Sequence, residues 1–163
     1  MARKAARRKA GKGRGGEQAF LASYDPSRYP RPSVAVDVAL LSAGGGDLYS
    51  VVVRRGEHPF KARWSLPGGF VGPKESLDAA AARVLARETG LRGVFLEQLY
   101  TFGAPDRDPR TRVISVAYYA LVDRARFAAV AAGGREAAVA RLVVPWEGET
   151  GGPVELLTAG GER

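Results

Sequence analysis

At 163 residues the chain is long enough for one domain with a substantial core, and its lack of cysteine excludes a disulfide framework, thiolate zinc sites and a cysteine nucleophile. No apolar run approaches the ~18 residues a membrane span needs, and the basic start is not followed by a signal-peptide core, so a cytoplasmic protein without a membrane partner is expected. The net charge of +8 is concentrated at one end: Arg3, Lys4, Arg7, Arg8, Lys9, Lys12 and Arg14 precede the first acid, Glu17, leaving 18 of the 25 basic residues against 17 acidic ones.

Residues 1–17 therefore read as a basic disordered tail, too poor in large apolar groups to pack, and residues 1–16 would contact nucleic acid weakly and in a salt-dependent way. Residues 18–150 read as the folded domain and 151–163 as a C-terminal tail. From Gln18 to Pro32 the aromatic residues Phe20, Tyr24 and Tyr29 stand among turn formers and prolines, which predicts an irregular segment. Ser33 to Leu41 (SVAVDVALL) is β-rich with Asp37 inside it, the glycines at 44 to 46 turn the chain, and Leu48 to Arg54 reads as an antiparallel partner. The loop that follows holds the single histidine, His58; nothing near it resembles a nucleophile turn, and it is not expected to be catalytic. Its neighbours Arg54, Arg55, Lys61 and Arg63 are better suited to meeting phosphates.

The stretch from Gly69 to Leu91, GFVGPKESLDAAAARVLARETGL, is entered through WSLPG and predicts a glycine-turned loop feeding one helix over Leu77 to Thr89. Ser76 is the expected N-cap, Asp78 puts negative charge in the first turn, and Gly90 stands where a left-handed cap belongs. At about 100° per residue, Leu77, Ala81, Val84, Leu85 and Glu88 share a stripe, with Arg83 and Arg87 beside it. A carboxylate in such a stripe needs a partner, and both an internal ion pair and a functional role fit Glu88.

Beyond the helix, Val94 to Phe102 and Arg112 to Val122 read as strands joined by the polar loop GAPDRDPRT, which carries Asp106, Arg107, Asp108 and Arg110. Ala125 to Ala132 reads as a short helix or a loose connection. Glu136 to Arg141 leads into a last strand at Leu142 to Pro145, and Pro145 to Glu147 into a last turn.

The stretch from Gly69 to Leu91 resembles the box of the Nudix family. Gly69, Glu75, Arg83, Leu85, Glu88, Gly90 and Leu91 match that pattern in register, preceded by LPGG. Where the family has two further glutamates this chain has Val84 and Arg87, so two of the three helix carboxylates that hold magnesium in similar enzymes are missing. TFGAPDRDPR followed by SVAYY resembles the subgroup that handles ADP-ribose and the sensing domain of Nudix-related regulators of NAD metabolism, as does YDPSRYPRPSVAVDV. The resemblance covers about Phe20 to Glu147 and implies an α+β fold with a twisted, mixed but mostly antiparallel sheet between helices. It also implies that the loop acid before the last strand, Glu136 here, can act as a ligand or general base.

The candidate catalytic residues are then Glu88 and Glu136, with Glu88 the candidate metal ligand. The candidate substrate-binding set is Arg54, Arg55, Gly68, Gly69, Glu75, Arg83, Arg87, Asp106 and Arg107. Three functions follow from the resemblance and the charge. The favoured one is a module that binds ADP-ribose or a related nucleoside diphosphate with hydrolysis weak or lost, Arg87 holding the pyrophosphate in place of a metal. The others are a magnesium-dependent pyrophosphohydrolase and a nucleic-acid-associated protein working through its basic tail. A homodimer is left open.

Overall fold

The computed structural model describes residues 13–132, 136–147, 150–151 and 153–161. The chain divides into two units, Met1–Arg31 and Pro32–Arg163, where the sequence predicts one domain from residue 18. In the first unit, residues 1–12 of the expected basic tail lie outside the described residues, while helix α1 spans Gly13–Ser23. The helix takes in residues 13–17, expected to be disordered, and part of the segment expected to be irregular. The run Glu17 to Ala22 holds good helix formers, and the prolines begin only at Pro26. A 3₁₀ turn follows at Pro26–Arg28, where the Asp25 side chain accepts the Ser27 N–H at 2.9 Å.

The second unit is built on one sheet. Its strands are β1 (Ser33–Gly44), β2 (Asp47–Arg54), β3 (Trp64–Ser65), β4 (Gly68–Phe70), β5 (Glu97–Phe102), β6 (Val113–Leu121), β7 (Ala137–Val143) and, past a separate β8–β9 pair at Trp146–Glu147 and Thr150–Gly151, β10 (Glu155–Thr158). The order is β10-β7-β2-β1-β6-β5, with β3 on β2 and β4 on β1. Among the described residues only β1 and β6 run parallel; the other pairs are antiparallel. The sheet is thus mixed and mostly antiparallel, as expected. Residues 151–163, read as a tail, supply β10, whose Leu156 and Leu157 pair with Leu142 and Arg141 of β7. β7 itself begins at Ala137, five residues before the expected last strand, because its partner β2 extends the ladder from Leu48 to Val53.

Helix α2 runs Leu77–Thr89, as its caps predict: Ser76 Oγ accepts the Ala79 N–H at 3.2 Å, and Gly90 at φ 80° donates its N–H to the Ala86 carbonyl. Helix α3 spans Arg124–Ala132. Alternation along β1 sends Val36, Val38 and Leu40 to one face, where they form a core with Ala80, Ala81, Val84 and Leu85 of α2 and Phe127 and Val130 of α3. The Tyr118 hydroxyl of β6 donates to Asp78 of α2 at 2.6 Å and is pushed up to about 12, chiefly by burial and then by that carboxylate. Among the described residues no helix is long and apolar enough to cross a membrane.

Candidate functional site

The buried stripe of α2 is Ala80, Ala81, Val84, Leu85 and Thr89; of the expected set Leu77 and Glu88 are only partly buried. Thr89 is buried, its hydroxyl donating to the Leu85 carbonyl at 2.7 Å, while the Glu88 side chain stays 27% exposed. Glu88 meets Arg87, whose guanidinium lies 2.5 Å from the carboxylate and also donates to the Gly68 carbonyl at 3.2 Å. Arg87 is therefore pinned between the helix and the glycine turn. A side chain at Gly69 would crowd Val84, 3.2 Å from the Cβ position, and come into ordinary contact with Arg87 at 3.5 Å. Val84 is fully buried.

Glu75 and Arg83 are occupied with each other. Arg83 grips both carboxylate oxygens at 2.7 and 2.8 Å and donates to the Phe70 carbonyl, while Glu75 also accepts the Gly72 N–H at 3.0 Å. This bidentate pair ties the turn after β4 to α2. The guanidinium, then the Gly72 amide, hold the Glu75 carboxyl down at about 2, against 4.5 ordinarily. A depressed carboxyl contributes stability above its unfolded value that is lost as the pH falls through the folded one. The melting temperature should therefore fall as the pH drops from 4.5 toward 2, less steeply in Glu75→Gln than in the wild type. Parallel melting curves for the two proteins would contradict that role.

A cleft of about 590 Å³ opens beside this turn. Of the residues expected to bind substrate it is lined by Arg54, Arg55, Gly68, Gly69, Arg87 and Arg107, and Glu88 joins them. Glu75 and Arg83 are outside its lining, locked together as described. Asp106 and Glu136 also lie outside it; both are exposed, and the Glu136 carbonyl accepts the Arg54 N–H at the start of β7. His58 lines the cleft as well.

Other contributors were not legible as site residues. Arg110 chelates Asp108 at 2.9–3.0 Å, holding that carboxyl down at about 2, and stacks 5.2 Å from the Phe70 ring. Phe60 and Phe70 present half-exposed rings to the cleft. Asp37 of β1 lines it too, its carboxylate accepting a short hydrogen bond from Ser115. The cleft thus joins five arginines to aromatic faces, a combination suited to an anionic, planar-ringed ligand.

The donor set does not fit a magnesium ion held on α2. Hard cations need several oxygen ligands, yet residue 84 is an aliphatic group in the core, residue 87 is a cation, and Glu88 is engaged by that cation. Among the described residues no three carboxylate, histidine or cysteine side chains come together as a metal site.

The chain is 42% identical over 109 residues to an ADPR responsive transcriptional repressor, NtrR, of Acinetobacter baylyi, covering 66% of this chain and 44% of that protein. It is 38% identical over 90 residues to an ADP-ribose pyrophosphatase of Methanocaldococcus jannaschii, covering 55% and 51%. The chain thus spans about half the length of the curated relatives it matches. The structure of the NUDIX domain of Shewanella oneidensis NrtR complexed with ADP ribose superposes with a TM-score of 0.61 at 29% identity, covering 86% of this chain and 81% of that one. Residues 31–148 match the NUDIX domain, and the chain belongs to the NUDIX family.

Proposed function

We propose that the cleft binds ADP-ribose or a related nucleoside diphosphate derivative, with hydrolysis weak or lost. The observation that carries this reading is Arg87: a fixed guanidinium stands in the cleft where the family pattern has a carboxylate, offering a diphosphate the positive charge that a metal would otherwise supply. The names of the relatives support the ligand class. The test is a calorimetric titration with ADP-ribose, with and without magnesium, followed by product analysis; absence of binding in both conditions rejects the reading. A magnesium-dependent hydrolase is the second reading, favoured by the likeness to the pyrophosphatase and by the intact Glu75–Arg83 lock. Glu136 as its base requires that side chain to reach the cleft from its edge. A nucleic-acid contact through residues 1–16 rests on their charge alone, and a cytoplasmic location on the cysteine-free composition.

A homodimer is supported by β5. All six of its residues are exposed at the sheet edge, and Phe95, Leu99, Tyr100, Phe102 and Leu121 are each 49–81% exposed. At roughly 200 Å² per large side chain these present about 600 Å², near the ~800 Å² per partner of a stable interface. The irregularity between Gln98 and Tyr100 interrupts the edge ladder, so side-chain packing is the expected mode. Sedimentation equilibrium should give twice 17.3 kDa for the wild type and the single mass for Leu99→Glu with Tyr100→Glu. A monomeric wild type, or a variant that still dimerises, contradicts it.

A further inference from the structure

Asp37 is an acid in the middle of the central strand, between Val36 and Val38, which are fully buried. Alternation turns it to the opposite face, where Ala35 and Asp37 line the cleft. A carboxylate in such a place is costly unless its oxygens are satisfied. One is: Ser115, itself fully buried, donates its hydroxyl to Oδ2. The other, Oδ1, lies against Gly68, where any side chain would run into it.

Five arginines line the same cleft, yet among the described residues no cationic nitrogen lies within 4.0 Å of Asp37. The other acids differ: Glu88 is held by Arg87 and Asp108 by Arg110, while Glu57 is exposed. Asp37 is thus a half-buried carboxylate with a neutral anchor and spare acceptor capacity. It repels phosphate and attracts neutral donors.

We propose that Asp37 is a sugar-hydroxyl site, its carboxylate accepting the vicinal hydroxyls of a ribose while the arginines take the diphosphate. The proposal rests on the reading of the cleft as a nucleoside diphosphate site and adds the feature that orients the ligand. A cis-diol presents two O–H donors side by side, and a carboxylate has enough lone pairs to accept both while keeping the Ser115 bond. Ser115 acts through Asp37, as a positioning residue.

Calorimetric titrations of the full chain and of Asp37→Asn test this, with melting curves to confirm that the variant is folded. ADP-ribose should bind Asp37→Asn about ten- to a hundredfold more weakly, the range for a hydrogen bond to a charged group, while inorganic pyrophosphate should bind the variant at least as tightly as the wild type. ADP carries the adenosine ribose alone and ribose 5-phosphate a free ribose alone, so the fragment that loses affinity identifies the ribose held. Ser115→Ala, which leaves the carboxylate present but unanchored, should weaken ADP-ribose by about two- to tenfold and spare pyrophosphate, and it carries the comparison if Asp37→Asn does not fold. Unchanged ADP-ribose affinity, an equal loss for pyrophosphate, or a loss seen with neither fragment overturns the assignment. A wild type that binds pyrophosphate but not ADP-ribose, or neither, rejects the proposed function and the hydroxyl site with it.

Discussion

Hydrolysis of ADP-ribose by this chain, with magnesium present, is expected to run several powers of ten below about 1 per second, the lower end of ordinary enzyme turnover. Magnesium in this kind of reaction neutralises the diphosphate and lowers the pKa of an attacking water. On α2 the groups that would hold it are reduced to Glu88, which is already bound by Arg87 at 2.5 Å. Val84 is fully buried against the glycine turn and offers no oxygen. Each lost power of ten corresponds to about 1.4 kcal/mol of barrier, so the absence of two ligands readily accounts for several. Chromatographic detection of AMP at about 1 per second or faster would contradict this.

Replacing Arg87 by alanine should weaken ADP-ribose binding by about 1.5–3 kcal/mol, the usual worth of a hydrogen bond to a charged group. Two effects act in the same direction. The variant loses the guanidinium anchored on the Gly68 carbonyl, and it leaves the Glu88 carboxylate unneutralised beside the cleft, where it repels phosphate. The double change Val84→Glu with Arg87→Glu reverses the design: three carboxylates then share one turn of helix, one of them in place of a core valine. That protein should melt lower than wild type without a divalent ion, regain stability with magnesium, and bind ADP-ribose only with the metal. Unchanged affinity in Arg87→Ala, or magnesium-independent binding by the double variant, would argue against the role given to Arg87.

What was legible in the sequence was what local chemistry determines. Ser76 and Gly90 mark both ends of α2 because an N-cap and a left-handed cap are properties of a few neighbouring residues. Glu88 falls on the stripe drawn at about 100° per residue with Val84 and Leu85, yet its side chain stays 27% exposed and pairs with Arg87, a contact that the stripe alone does not show. The spacing of Glu75 and Arg83 was visible; that they face each other rather than a ligand depends on the fold of the turn between them. Asp37 stood out as a charge among valines, yet its meaning comes from Ser115, 78 residues further on. Likewise β10 has a tail's composition, and only its ladder with β7 makes it a strand.

Arg87 is proposed to meet the diphosphate in this cleft in place of a metal ion, and titrating the wild-type protein with ADP-ribose in EDTA and again in magnesium by calorimetry tests that role. The expected result is binding with the same dissociation constant in both. Binding that appears only with magnesium would contradict it.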